Sequence, residues 1–461
     1  MRILGVWRPL FLRMRPACAL AQLWYYARMT RSRVTFVLIA GVSLLLIVLL
    51  GGPALIRALP GRYAYYLPEP LQALRHDPHP ELLPTPDVAV APSTITPLPA
   101  ATPLPTATPL PPASDTPVPS PSPTAPPVTP TGTSTPIPPF VPPISVTLSG
   151  LRHEHQGWNN CGPTTLAMAL SYCGRPETQY DVAPLLKPDP EDKNVSLWEM
   201  ETYARSLGLG ALVRVNGSLD LLKELVGSEF PVIVETWYVR DASDQLGHYR
   251  LIIGYDDAAS QFITYDSLHG PDLPIGYQEL DELWRVFNRG YLVVYDPDRW
   301  EQLAAILGAD VDTATMYQRA LERAQAEVVA PPATCVAYAD CADWVTFSWF
   351  NVGTSLTSLG RHTEAAPAYD QARQLGLHFR MLWYQFGPYE SYYAVGRYQD
   401  VIVLADATLA TTDNLEESYY WRGMARWALG DLDGAREDLE AALQYHEGWA
   451  PAVAALERLG Q

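Results

Sequence analysis

The amino-acid sequence predicts two folded parts of different class, an α+β domain over residues 144–299 and an all-α helical-repeat domain over residues 300–461. Three observations predict this. A helix pattern that starts at Cys161 is followed by strand patterns gathered between Ala211 and Tyr295, so helices and antiparallel strands occupy different halves of one domain. Glycines Gly360, Gly396 and Gly430 recur at a near-constant interval among Ala-rich helical stretches, a period that belongs to stacked helix pairs. Before residue 144 the chain has no globular pattern, only an apolar run and a proline-rich stretch.

Val34–Ile56 runs without a charge and, at ~1.5 Å per helical residue, is long enough to cross a ~30 Å hydrocarbon layer. Seven arginines precede it and no acid does, so residues 1–33 are expected on the cytoplasmic side and everything after residue 57 outside. A cleaved signal peptide has a shorter apolar core and a shorter basic lead. Residues 57–143 form a Pro/Thr-rich linker: 26 of the 44 prolines fall between Pro68 and Pro143. Such sequence forms neither helix nor central strand. As a polyproline-II-like spacer it would span on the order of 150–190 Å and hold the folded parts off the membrane. Beyond the eight arginines from Arg2 to Arg57, 24 basic face 50 acidic side chains, a formal −26 that argues against nucleic-acid binding. Five cysteines are too few for a disulfide scaffold, though Cys335 and Cys341 are close enough to close a small loop.

Within residues 144–299, Leu166, Leu170 and Cys173 follow Gly162-Pro163 at helical spacing, and Gly174-Arg175-Pro176 ends the run. Ser196-Leu-Trp-Glu199 has capping-box spacing and opens a helix to about Leu207. Strands are expected over 211–215, 231–235, 248–255, 261–266 and 291–295, with helices over 219–226 and 277–287. Trp237 and the residues after it read as a polar loop, and Asp256-Asp-Ala-Ala-Ser260 as a turn.

Cys161 thus sits where a loop becomes a buried helix, and unpaired N–H groups with the positive end of the helix dipole favour a thiolate there. Gln156, five residues upstream, is placed to join the Cys161 N–H as a donor to a developing oxyanion. His248 begins a strand whose hairpin, turning near residue 258, brings one of residues 266–270 opposite it. Asp266 and His269 both fall in that window; Asp266 is the candidate to accept the His248 Nδ1–H and steady an imidazolium. Cys161, His248, Asp266 and Gln156 together satisfy the requirement for nucleophile, base, orienter and oxyanion donor.

"HQGWNNCGPTTLAMAL", "GHYRLIIGYDD" and "ITYDSLHG" resemble the bacteriocin-processing (double-glycine leader) peptidases, a papain-like group of cysteine peptidases, over about residues 147–297. The resemblance implies a papain-like fold with Cys161 as nucleophile, His248 as base and later acid, Asp266 as orienter and Gln156 as oxyanion donor. No Walker-type phosphate loop accompanies it, so only the chemistry of the family carries over. The expected activity is thiol hydrolysis of a peptide or related amide, without cofactor. His153, Glu154 and His155 lack the second His at the metalloprotease spacing, where Gly157 stands, so no metal is expected. Trp158, Trp198 and Trp237 are candidates for a cleft wall or for the core, and Cys173 for the core.

The C-terminal array resembles tetratricopeptide repeats, with Tyr or Trp in first helices and Ala-rich second helices; Met316–Leu321 looks like part of an earlier, degenerate unit. Its concave face is expected to take a protein partner, or to pack on the α+β domain. The whole chain then reads as a single-pass membrane protein with its folded parts outside the cell, acting on a peptide or protein substrate. Two further readings share this architecture: a peptide-binding domain without turnover, and a repeat-driven scaffold of an envelope assembly.

Overall fold

A computed structural model describes residues 143–461 except 242–243, 338–340, 342 and 461, with residues 82–86 and six isolated positions before them. Residues 1–78 and 79–461 are two compact units, and the second carries the folded parts considered below. The basic segment 1–33 and the apolar run to Ile56 lie outside the described residues, save Leu55 and Ile56. Among the described residues no helix is long and apolar enough to cross a membrane.

The first folded part is a mixed α/β domain. In chain order it comprises β1 (Ser145–Thr147), α1 (Cys161–Tyr172), α2 (Gln179–Leu186), α3 (Leu197–Ser206), β2 (Gly210–Arg214) and α4 (Leu219–Gly227). Then come β3 (Val232–Asp241), β4 (Asp244–Asp256), β5 (Gln261–Asp266), β6 (Gly270–Gly276), α5 (Tyr277–Trp284) and β7 (Tyr291–Tyr295). The strands form an antiparallel sheet in the order β2-β7-β3-β4-β5-β6, with β1 also on β4.

Period-2 alternation gives the sheet two apolar faces. Ile233, Leu251, Ile253 and Leu292 pack under α1, whose Leu166, Met168 and Leu170 are fully buried. Val232, Val234, Ile252 and Phe262 face α4 and α5 on the other side. At ~1.5–3 kcal/mol for each large side chain removed from water, these two layers hold the sheet. Helix starts follow the sequence: Ser196 and Glu199 make the reciprocal box that opens α3, and Ser218 caps α4.

Three elements escape the sequence patterns. α2 carries Pro184 and is started by the Thr178–Asp181 box. β6 contains Pro271 and Pro274, tolerable because it is an edge strand. β3 continues past Glu235 through Trp237 to Asp241, where a polar loop was expected; Trp237 is fully buried, so packing overrides local polarity.

The second part is helical: α6 (Trp300–Leu307), α7 (Thr313–Val329), α8 (Trp344–Ser358), α9 (His362–Gln374), α10 (Gly387–Ala394), α11 (Tyr398–Leu409), α12 (Glu416–Ala428), α13 (Leu432–Tyr445) and α14 (Ala450–Leu459). Gly360, Gly396 and Gly430 turn α8 into α9, α10 into α11 and α12 into α13, each at positive φ, a backbone state that glycine adopts without strain. Cys335 and Cys341 form a disulfide in the connection from α7 to α8.

The two parts share a core. Trp237, Val286 and Phe287 of the α/β domain are buried in one cluster with Phe347, Phe350, Leu356 and Phe379 of the array. Arg285, fully buried, donates to the Trp344 carbonyl, and its guanidinium lies 3.3 Å from Glu327.

A further correction concerns the linker. Residues 82–86 are not spacer: Leu82 bridges to His378, the Leu83 N–H donates to the Leu377 carbonyl, and Arg373 Nε donates to the Pro84 carbonyl. Leu83, 3% exposed, joins the helical core. Leu82 and Leu83 supply the apolar contact that the surrounding prolines conceal. The rest of the expected linker before residue 143 lies outside the described residues, apart from isolated positions near its start.

Candidate active site

Cys161 is the first residue of α1, and the loop before it is pinned by α2. Gln179, 1% exposed, accepts from the Gly157 N–H and from Asn160 Nδ2, and donates to the His155 carbonyl and to Glu154. Trp158 donates to Glu191 at 3.0 Å, fixing the same loop. The loop therefore carries Gln156 in a defined position. The Gln156 N–H donates to the Ser267 carbonyl, and its Oε1 accepts from the Ser267 hydroxyl at 2.8 Å. With the oxygen engaged, the amide's N–H₂ is left as the group to present to a ligand.

His248 and Asp266 meet as the hairpin argument predicts, but through the other ring nitrogen. His248 Nε2 lies 2.9 Å from Asp266 Oδ1, where the sequence points to Nδ1–H. β5 pairs Asp266 with Arg250, so the carboxylate stands diagonal to His248, and that offset presents Nε2. A neutral ring that donates from Nε2 keeps its lone pair on Nδ1. Asp266 is 2% exposed and also accepts from the Leu268 and His269 N–H groups and from Arg250 Nε at 3.2 Å. Burial opposes its ionisation, yet His248, Arg250 and the Leu268 N–H together hold it well below the usual carboxylate range. Burial also pushes His248 below the ordinary imidazole value, against the pull of Asp266.

Cys161 packs with Tyr249, Leu251 and Ile253 on the α1 face of the sheet, where the Tyr249 and Gly162 N–H groups favour its charged form. Alternation along β4 sends the His248 and Tyr249 side chains to opposite faces. His248, with Thr236, Arg250 and Asp266, therefore stands on the face away from Cys161, and the two side chains are not brought together. The expected thiolate is not the resting state. Burial, reinforced by the nearby Glu235 carboxyl, pushes the thiol up to about 11, more than the two N–H groups and Lys187 restore. The Lys187 ammonium is turned toward the Pro190 and Asp192 carbonyls, at 3.0 and 3.3 Å.

Two participants are not signalled by the motifs. Arg250 lies two residues after His248 on the same face of β4 and bonds both Asp266 and the Thr236 hydroxyl. Period-2 spacing from His248 is the signal that could have found it. Tyr384, between Trp383 and α10, presses on the Gly247 backbone; a Cβ at Gly247 would meet its ring at 3.1 Å. Its hydroxyl faces the Gly247 N–H, and both Cys161 and Glu235 are close enough to raise its pKa beyond what burial does. No local pattern signals a contact between positions as distant in sequence as Gly247 and Tyr384.

The remaining candidates have structural places. His153 Nε2 is 2.9 Å from the Asp266 carbonyl, Glu154 accepts from Gln179, and Asp256 and Asp257 belong to the β4–β5 turn. Trp237 is core, whereas Trp198 is 45% exposed beside a cavity. Cys173 is partly buried at the end of α1.

Residues 146–291 match the family model described as "Peptidase_C39 like family", and residues 416–445 match a tetratricopeptide-repeat model. No curated protein matches the chain significantly. Among solved structures, one described as a C39-like peptidase from Bacillus anthracis is 17% identical, covering 33% of this chain and 98% of its own, with a TM-score of 0.28. This chain therefore joins a C39-peptidase-like domain at residues 146–291 to a tetratricopeptide repeat at residues 416–445.

Proposed function

We propose that the C39-like domain hydrolyses peptide or related amide bonds through Cys161, His248, Asp266 and Gln156. The observation that supports this reading is the pair of contacts joining residues far apart in sequence: Gln156 is tied to Ser267, and His248 to Asp266. In the reaction the His248 end of β4 must first shift its ring toward Cys161; the Sγ proton then passes to Nδ1 as sulfur attacks the carbonyl carbon. The oxygen becomes anionic and is received by the Cys161 N–H and the Gln156 amide. The C–N bond then breaks, and the amine leaves with the proton from His248. Water, deprotonated by His248, cleaves the thioester, releasing the acid and restoring the thiol. Asp266 holds Nε2–H throughout, so Nδ1 stays free to exchange the proton.

A second reading, a peptide-binding domain without turnover, is favoured by the thiol held at about 11 behind Tyr384. A fluorescent thiol-directed activity probe on the full chain separates the two. Labelling that is lost in Cys161→Ala and falls at least ~10-fold in His248→Ala supports hydrolysis. Equal labelling of wild type and both variants rejects it. We further propose that Val34–Ile56 anchors the chain with residues 1–33 in the cytoplasm and the folded parts outside. The uncharged run and its arginines support this, as does the Cys335–Cys341 disulfide, since disulfides persist in oxidising compartments. Protease accessibility of the folded parts on intact cells tests it; protection would overturn it. The helical array is proposed to bind protein as well.

A further inference from the structure

Between the α/β domain and the helical array lies a cavity of about 420 Å³, inside the ~300–1,000 Å³ range of ligand sites. Four glutamates line it: Glu199 and Glu235 from the α/β domain, Glu390 and Glu417 from the array. Among the described residues, no lysine, arginine or histidine does. Aromatic rings, including Trp421 and Tyr384, complete the wall. We propose that this cavity is a subsite for a basic peptide side chain, lysine or arginine, of the substrate cleaved at Cys161. The proposal rests on the hydrolytic reading and adds the substrate class.

Two independent observations point to a missing cation. Glu235 is 8% exposed, lines the cavity, and has only the Tyr249 hydroxyl as a neighbour that favours its charge. Glu417 also lines the cavity, and its Oε2 is buried without a hydrogen-bond partner. Carboxylates in such a place are costly unless a positive charge arrives with the ligand. The cost is visible in each of the four. Burial raises Glu199, Glu390 and Glu417, and holds Glu235 at about 8. An ammonium or guanidinium reverses that penalty, and flanking aromatic faces add cation–π attraction. The position fits a substrate subsite because Glu235 and Tyr384, two of its wall residues, are also the neighbours of the Cys161 sulfur. An inorganic cation is the weaker fit. No group of three or more His, Cys, Asp or Glu suited to a metal occurs among the described residues, whereas a lysine or arginine side chain offers a charge for the carboxylates and an apolar stem for the rings.

The test uses the full chain with Cys161→Ala, so that binding is read without turnover. The probes are octapeptide mixtures with one position fixed as Lys, Arg, norleucine or Glu, measured by fluorescence anisotropy with and without millimolar Ca²⁺ or Mg²⁺. Lys- and Arg-fixed mixtures are expected to bind at least ~10-fold more tightly than norleucine, a conventional one-decade discrimination. Adding Glu235→Gln or Glu417→Gln should bring that ratio to within about 3-fold while norleucine binding holds. Equal binding of Lys and norleucine, or a ratio unchanged in both glutamine variants, overturns the proposal, as does full displacement of the Lys peptide by divalent cation. If wild type cleaves nothing but the Lys preference and its loss in the variants stand, the hydrolytic reading fails and the subsite survives.

Discussion

A neutral thiol at Cys161 and a neutral imidazole at His248 are the resting forms that burial dictates. Burial moves the cysteine up and the histidine down, so neither ion forms until a substrate or a movement changes the surroundings. The sign of the pH dependence follows. Only the thiolate alkylates, and with the thiol at about 11 its rate with iodoacetamide should rise ~10-fold per pH unit from 7 to 10. Levelling off by about pH 9.5 would show the thiol to be unperturbed. Asp266→Asn keeps the shape but lets the amide present N–H₂ to Nε2, favouring the tautomer with its proton on Nδ1. Turnover should drop ~10²–10⁴-fold, read as kcat on whatever peptide the wild type cleaves. The His248–Asp266 contact was legible because the hairpin limits the partner of His248 to a few residues by reflection. The ring nitrogen was not legible, since it depends on a two-residue offset between β4 and β5 that the letters do not encode.

At the scale of elements, strand and helix boundaries were readable where periodicity and caps agree, as in β5, β7 and α3. They were not where tertiary contact overrides composition: proline-bearing α2 and β6, and the far half of β3. Close helix approach gives another constraint that sequence hides. At Gly353 in α8 a Cβ would meet the Tyr369 ring of α9 at 2.5 Å. Gly353→Ala is therefore expected to destabilise the array by ~1–3 kcal/mol through overpacking, measured as a lower urea midpoint with unchanged slope. Equal or greater stability would mean that α8 and α9 separate freely.

The whole molecule is more unified than its sequence suggests. Two domains could be drawn at residue 299, yet Trp237 and Phe287 complete their burial against helices that begin far beyond it. Residues 144–299 expressed alone should therefore be aggregation-prone and bind a hydrophobic dye, whereas residues 79–461 should unfold in one transition. A soluble, cooperatively folding 144–299 fragment would refute that dependence. The same interface governs the thiol. Tyr384→Ala removes the ring over Gly247 and should speed Cys161 alkylation at least ~5-fold at constant pH, without a comparable change at Cys173. The shared core could not be read from the sequence because it is built from contacts between segments, such as those around Trp237 and Phe347, that no local pattern links.

The docking of residues 82–86 on the array changes what the proline-rich stretch is for. Residues 82–86 and the chain from residue 143 belong to the same compact body, so the stretch between them is tied to it at both ends. A protease nick between residues 87 and 142 would not release residues 143–461: both pieces would co-elute in native buffer and separate only on denaturation.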